Sequence, residues 1–294
     1  MRFLSPLIFL FACSLYSADR PNILFAIADD WGWPHAGSYG DPVVKTPTFD
    51  RLANEGAMFR HAYVSSPSCT PSRGSILTGQ WHWRLEGAGN LWSVFPDKYD
   101  TYPELLARAG YEIGVSSKGW GPGRTQMKGR QLAGPRYRNF SAFMKSRESG
   151  KPFCYWLGSS DPHRGYAKGS GVKSGMDLSK IKLFPHFPDS NEVRSDVADY
   201  YFEVQRFDSL VGDAIKVLEQ SGELDNTIVV MTGDHGMPFP RCKSNNYDSG
   251  ARVPLAIRWP SKVKAGTVVK DFVSLVDVAP TFYQAADLDV PSNV

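Results

Sequence analysis

Several things are scarce in this sequence, and each scarcity excludes something. Only 4 of the 294 residues are cysteine. That is too few for a disulfide framework to replace a hydrophobic core. Only 6 are histidine, which counts against a two-zinc centre built from several histidine motifs. After the first eighteen residues no stretch reaches eighteen apolar residues, so no membrane-spanning helix is expected in the mature chain. No five like charges run together. The 33 Lys and Arg against 30 Asp and Glu give a net charge of only +3, which argues against a polybasic nucleic-acid binder. Internal repeats and low-complexity segments are also missing.

The remainder is a globular composition, 42% hydrophobic and 21% charged, long enough to bury a large core. The 8 Trp, 13 Tyr and 17 Phe suit that core first and a surface that stacks on sugar rings second. The start of the chain is different in kind. Arg2 precedes a largely apolar stretch, Phe3 to Leu15, and then the small residues Ser17 and Ala18. Residues 1–18 therefore read as a secretory signal, with residues 19–294 as the exported chain (periplasmic, extracellular or lysosome-like). Leu10 to Cys13 loosely resembles a lipoprotein processing box, which Phe11 fits poorly; anchoring through Cys13 is the less favoured alternative. Without Cys13 the cysteines are Cys69, Cys154 and Cys242. Three is odd, so at least one thiol is unpaired.

Apolar runs alternate with helical patterns, which predicts an α/β fold with helices on the faces of a sheet. Strands are expected at Asn22–Ala28, Ala57–Val64, Tyr111–Val115, Phe153–Leu157, Thr227–Thr232 and Pro254–Trp259. Helices are expected after Thr46-Pro47, over Pro103–Ala109, from about Asp196 to Gln220, and near Ala279–Ala286. The Gly-, Pro-, Lys- and Arg-rich stretches 120–150 and 158–190 read as long surface loops.

Two of the apolar strands run into acidic residues, Asp29-Asp30 and Asp234-His235. Ligands gather at the carboxyl ends of strands in such sheets. Carboxylates converging there repel one another unless a cation lies between them, and oxygen donors favour a hard ion such as Ca²⁺ or Mg²⁺. The plainer reading is that each pair caps a turn. A third segment, Cys69-Thr70-Pro71-Ser72-Arg73, ends in Thr78-Gly79. Pro71 suits a first helical turn and Gly79 a helix end, so Cys69 is expected at a helix N-terminus, where anions bind and thiols acidify. Arg73, one turn on, can return its guanidinium toward residue 69.

This segment resembles the C-x-P-x-R-x4-T-G signature of type I sulfatases, in the alkaline-phosphatase-like superfamily, and Cys69, Pro71, Arg73, Thr78 and Gly79 meet every fixed position. The flanks PNILFAIADD and TGDHG look like the opening strand and second metal motif of that family. DPHR at 161–164, YDSGARVPLAIRWP at 247–260 and VSLVDVAPTF at 273–282 look most like its heparan N-sulfatase branch. The resemblance implies an alkaline-phosphatase-like catalytic domain over residues 19–294, with a central mixed, mostly parallel sheet and helices on both faces, and an end before the smaller C-terminal subdomain of relatives. It implies that a maturation enzyme oxidises Cys69 to formylglycine. One oxygen of the hydrated aldehyde then attacks sulfur, and the other expels sulfate. It implies one Ca²⁺ held by Asp29, Asp30, Asp234, His235 and the residue at position 69. His235 stands where many relatives have Asn, and its softer imidazole leaves the metal's identity slightly open. Arg73, Lys118 and Lys243 match the groups that bind nucleophile and sulfate, and His163 the acid that protonates the leaving group. A sulfated carbohydrate is the implied substrate.

One position departs from the family. The first lysine usually stands in K-x-H, but here it is Lys118-Gly119-Trp120. Indole cannot shuttle protons. Either another group, such as His82, takes that role or turnover slows at elimination. The rival readings are a phosphate or phosphonate ester hydrolase of the same superfamily and a catalytically impaired glycan-binding relative.

Overall fold

A computed structural model describes residues 20–294. The expected signal at 1–18, with Cys13, lies outside the described residues. The strands are β1 (Asn22–Ala28), β2 (Ala57–Tyr63), β3 (Ser93–Phe95), β4 (Glu112–Ser116), β5 (Gly123–Thr125), β6 (Phe153–Gly158), β7 (Thr227–Gly233), β8 (Arg252–Val253), β9 (Leu255–Arg258) and β10 (Thr267–Ser274). The α-helices are α1 (Pro47–Glu55), α2 (Cys69–Thr78), α3 (Tyr102–Arg108), α4 (Phe140–Ser146), α5 (Ser170–Lys173), α6 (Asn191–Ser221), α7 (Asp248–Ala251) and α8 (Val278–Ala285).

The main sheet runs β10-β2-β9-β7-β1-β6-β4, with β8 also paired to β2, while β3 and β5 form a separate small ribbon. β7, β1, β6 and β4 are mutually parallel. β9 opposes both β7 and β2, so β2 points the same way as the parallel core. The expected mixed, mostly parallel sheet is thus present, and six strands, β10 included through its parallel pairing with β2, run toward one edge.

Period-two alternation splits the core between the two faces. Leu24, Ala26 and Ala28 of β1 pack with Phe49 and Leu52 of α1 and Val204, Phe207 and Val211 of α6. Ile23, Phe25 and Ile27 face Ile76 and Leu77 of α2, Leu106 of α3 and Phe282 of α8. Being apolar on both faces, β1 and β7 read as continuous hydrophobic runs, and every residue of both is buried.

The structure corrects several details. α6 begins five residues before the expected start, where the Ser190 side chain accepts from the Val193 N–H. Thr46 does not cap α1 with its side chain. The carboxylate of Asp208, on α6, accepts the Thr48 and Phe49 N–H groups instead (3.0 and 2.9 Å), so a long-range contact supplies the cap. The segments read as loops contain β5, α4 and α5. β10 was not expected: Lys270-Asp271 interrupts its apolar alternation, and it lies at the sheet edge with a register shift between Val269 and Phe272. Cys69, Cys154 and Cys242 are all unpaired and buried.

Candidate active site

α2 begins after β2, at the edge where the parallel strands end. All ten of its residues are buried. Its polar side chains are satisfied locally: Ser75 and Thr78 donate to the carbonyls one turn back (2.9 and 2.8 Å), and Ser72 donates to the Asp234 carbonyl (2.5 Å). Gly79 closes the helix in the left-handed conformation (φ +68°), which lacks a steric penalty only for glycine. Cys69 is the first helical residue, as expected.

Asp29 and Asp30 follow β1, and Asp234 and His235 follow β7. The strand ends are stitched together by backbone bonds. Asp29 N–H donates to the Asp161 carbonyl (3.0 Å), and Asp234 N–H to that of Ala28 (3.2 Å). Asp30 takes a left-handed backbone (φ +75°), uncommon for a residue with a side chain and typical of strain held at functional sites. In that conformation its N–H donates to Asp234 Oδ1 (2.9 Å).

The side chains converge. Cys69 Sγ is 3.4 Å from Asp29 Oδ1, 3.9 Å from Asp30 Oδ1 and 3.3 Å from His235 Nε2. His235 Nε2 is 3.1 Å from Asp30 Oδ1 and 3.6 Å from Asp234 Oδ1. One donor atom each from Asp29, Asp30, Cys69 and His235 lies within 4.8 Å of the others, and all four residues are buried. This set fits a divalent cation: two carboxylates favour a hard ion, and the imidazole and the position-69 side chain complete a compact cradle. Asp234 stands at the edge of this group, its Oδ2 already accepting from Arg73 Nε (2.7 Å).

Three cations frame the acids. Arg73 is fully buried and donates to the carbonyls of Lys118 and Gly119 (both 2.9 Å) and of Ala28 (3.3 Å). Its planar fork thereby ties α2 to β1 and to the loop after β4. Lys118 Nζ reaches Asp29 Oδ2 at 2.6 Å, and Lys243 Nζ lies 2.9 Å from both oxygens of Asp30. The Lys118 backbone is seated against β6 at Gly158, where any Cβ would collide with the Lys118 carbonyl. His163 is half-exposed; its Nδ1 lies 2.9 Å from the Arg164 carbonyl and its Nε2 is 4.0 Å from Asp30 Oδ2.

The electrostatics follow from burial among opposed charges. Burial raises the pKa of Asp29 above the usual carboxylate range, and the neighbouring Asp234 charge adds to this. Burial would raise Asp234 too, but His235 and Arg73 hold it well below the normal value. Burial would lower His235, yet the Asp234 and Asp30 carboxylates push it up to about 10. The carboxylates that raise His235 are the groups a cation would also contact, and a metal bound there would displace the proton from His235.

The structure therefore brings Asp29, Asp30, Cys69, Arg73, Lys118, Asp234, His235 and Lys243 into one cluster, with His163 at its rim. His82 is not among the residues that converge on Cys69; its Nδ1 lies 2.8 Å from Ser65 Oγ. Trp120 instead donates its indole N–H to the Thr70 carbonyl (3.1 Å), bracing the first turn of α2. Sequence reading also missed Arg164, which pairs with Asp196 through both terminal nitrogens (2.9 and 2.6 Å) and beside His163 lines an open cleft of about 700 Å³. Asp29, Lys118, Asp161, Glu203 and Arg206 line the same cleft.

Comparison with known proteins agrees with this geometry. The family described as Sulfatase matches residues 21–288. The chain is similar to N-sulphoglucosamine sulphohydrolase of Homo sapiens (31% identical), over 96% of this chain and 64% of that protein. It is also similar to an ulvan-active sulfatase of Formosa agariphila (30% identical), over 92% of this chain and 52% of that protein. The chain thus spans between half and two thirds of the length of these curated relatives. Among solved structures, the phosphonate monoester hydrolase of Agrobacterium radiobacter superposes with a TM-score of 0.73 at 18% identity, covering 92% of this chain and 74% of that one. That likeness establishes the shared fold.

Proposed function

The chain belongs to the sulfatase family, and from that premise we propose that it hydrolyses sulfate esters or N-sulfate groups on a sulfated glycan, with position 69 as nucleophile. The observation that carries this reading is the placement of Cys69 Sγ, on the first residue of a buried helix, 3.4 Å from Asp29 Oδ1 and 3.3 Å from His235 Nε2. A maturation enzyme converts Cys69 to formylglycine, whose hydrate carries two hydroxyls on the former Cβ.

Asp29 takes the proton of the attacking hydroxyl. The hydroxyl oxygen bonds to sulfur as the bond from sulfur to the leaving oxygen or nitrogen breaks, and His163 Nε2 returns a proton to that leaving atom. The second hydroxyl then loses its proton to solvent water, the aldehyde C=O re-forms, and the carbon–oxygen bond to the sulfuryl group breaks, releasing sulfate; water rehydrates the aldehyde. A simple serine-type sulfate ester lacks this exit. Lys118 and Lys243 neutralise charge on the sulfuryl oxygens, a contribution of a few kcal/mol per donor in such sites. Arg73 fixes α2 against Asp234, so the nucleophile is held before substrate arrives. Asp29, Asp30, Asp234, His235 and the position-69 side chain would hold one Ca²⁺, which when bound supplies a Lewis acid beside the reacting oxygen.

The names of the two relatives favour a glycan sulfate, and the signal-like start of the sequence favours export. Among the described residues no helix is long and apolar enough to cross a membrane. The shared fold of a phosphonate monoester hydrolase keeps one second reading, a phosphonate or phosphate ester substrate. Incubating protein co-expressed with a formylglycine-generating enzyme with N-sulfoglucosamine, glucosamine 6-sulfate and phenyl phosphonate tests both. Sulfate release that Cys69→Ala abolishes is expected. Equal release by the variant, or preferential cleavage of the phosphonate, would overturn the reading.

A further inference from the structure

The loop that follows β4 separates two concavities. Lys118, Gly121 and Pro122 line the cleft at the candidate active site, whereas Gly119 and Trp120 line a groove of about 830 Å³. That volume is within the range of ligand-binding sites. Four cations line the groove, Arg124, Lys128, Arg130 and Arg136, and no carboxylate does. Arg130 is neutralised by Glu104 at 2.7 Å. Arg124, Lys128 and Arg136 are exposed and form no ion pair among the described residues. Arg136 is steadied by donating to the Ser117 carbonyl. The floor is apolar, from the buried Val115, Leu132 and Ala133.

We propose that this groove is a second anion-binding subsite that holds a further sulfated or uronate sugar of the same glycan chain whose terminal sulfate occupies the cleft. The inference rests on the sulfated-glycan reading of the cleft and adds a place where the polymer, rather than the reacting sugar, is recognised. A pyranose ring presents C–H faces, which suit the apolar floor, and equatorial sulfates or carboxylates, which suit cations at the rim. The two concavities share one loop, with Lys118 lining the cleft and its neighbour Gly119 lining the groove, so an oligosaccharide that crosses this loop would meet both. A rim that carries three unpaired cations and no carboxylate selects for anionic chains and repels nothing on them.

The test compares wild type with Arg124→Ser/Lys128→Ser/Arg136→Ser, three exposed positions outside the catalytic cluster. Binding of a sulfated heparin-type hexasaccharide, its unsulfated counterpart and a single-stranded DNA of equal charge is measured by calorimetry at low and high salt. Turnover of 4-nitrophenyl sulfate is followed in parallel. The proposal expects the triple variant to lose hexasaccharide affinity about tenfold or more, with wild-type melting temperature and unchanged turnover of the small sulfate. It expects the unsulfated chain to bind at least tenfold more weakly to wild type. Unchanged hexasaccharide affinity in the variant, equal binding of the unsulfated chain, or DNA binding as tight as the hexasaccharide would each overturn it. If no sulfate ester is turned over at all, the reading of the cleft fails while the binding result still judges the groove.

Discussion

Replacing Arg73 by lysine keeps its charge and removes its shape. The guanidinium spends Nε on Asp234 Oδ2 and its two terminal nitrogens on the carbonyls of Lys118, Gly119 and Ala28, all without solvent contact. A lysine ammonium has three donors at a single point and cannot reach groups on both sides of the fork. At least two hydrogen bonds to buried acceptors are lost, each costing about 1–3 kcal/mol when the acceptor stays unsatisfied, for a total of about 3 kcal/mol. In a domain of this size that corresponds to a fall in melting temperature of about 6–12 °C. Arg73→Met removes the charge as well and strands the Asp234 carboxylate, for which about 3–5 kcal/mol is the expected loss. Thermal unfolding followed by tryptophan fluorescence measures both variants, with Arg206→Met as the exposed control. Should Arg73→Lys melt within about 2 °C of wild type, the fork is not what ties α2 to the strand ends, and the reasoning is wrong.

Three further outcomes follow from the same geometry. Added CaCl₂ should stabilise the wild-type protein, by about 2.7 kcal/mol at a hundredfold excess over Kd, and Asp30→Asn should remove most of that gain; an equal calcium shift in the variant in a thermal melt would place the ion elsewhere. His163→Ala should slow cleavage of an alkyl sulfate far more than of 4-nitrophenyl sulfate, whose leaving group needs no proton; equal losses would remove His163 as the acid. Stability against pH should show two opposing groups. Burial lowers His35 from 6.5 to about 4, so its contribution, up to about 3 kcal/mol, is fully present above pH 6.5 and disappears as pH falls through 4. Burial raises Asp208 from 3.8 to about 6, so its contribution is present below pH 3.8 and disappears as pH rises through 6. Urea titrations of His35→Gln between pH 4 and 7 should therefore lose the acid-side decline that wild type shows; an unchanged profile would show that His35 is not buried neutral.

The parts of the fold that could be read from sequence are those set by local patterning. β1 and β7 are apolar on both faces, and each is a short, continuous, fully buried run of seven residues. α2 is framed by Pro71 and Gly79, each with one conformational role. The elements that escaped are set by distant partners. Asp208 caps α1 from about 160 positions away, and β10 takes its register from β2 while showing a polar sequence of its own. The site divides in the same way. Asp29, Asp30, Asp234 and His235 could be placed because they terminate strands, and Cys69 and Arg73 because one helical turn separates them. Lys118, His163 and Lys243 lie in loops without periodicity, so only the family resemblance pointed to them. The groove cations belong to a Lys- and Arg-rich stretch legible as a surface loop, but their irregular spacings between 124 and 136 gave no sign that they would line one groove. Trp120 posed a question that the fold answered in part: its indole braces the Thr70 carbonyl, while the His82 ring meets Ser65.

The mass of the peptide that carries residue 69 tests the central claim most directly, on protein produced with the maturation enzyme and shown to release sulfate. Conversion replaces sulfur by oxygen and removes two hydrogens, whereas ordinary thiol oxidation only adds oxygen. The reading predicts that active protein holds the aldehyde at position 69 and that hydride reduction of this aldehyde abolishes turnover. An unmodified Cys69 thiol in protein that still releases sulfate at the full rate would contradict it.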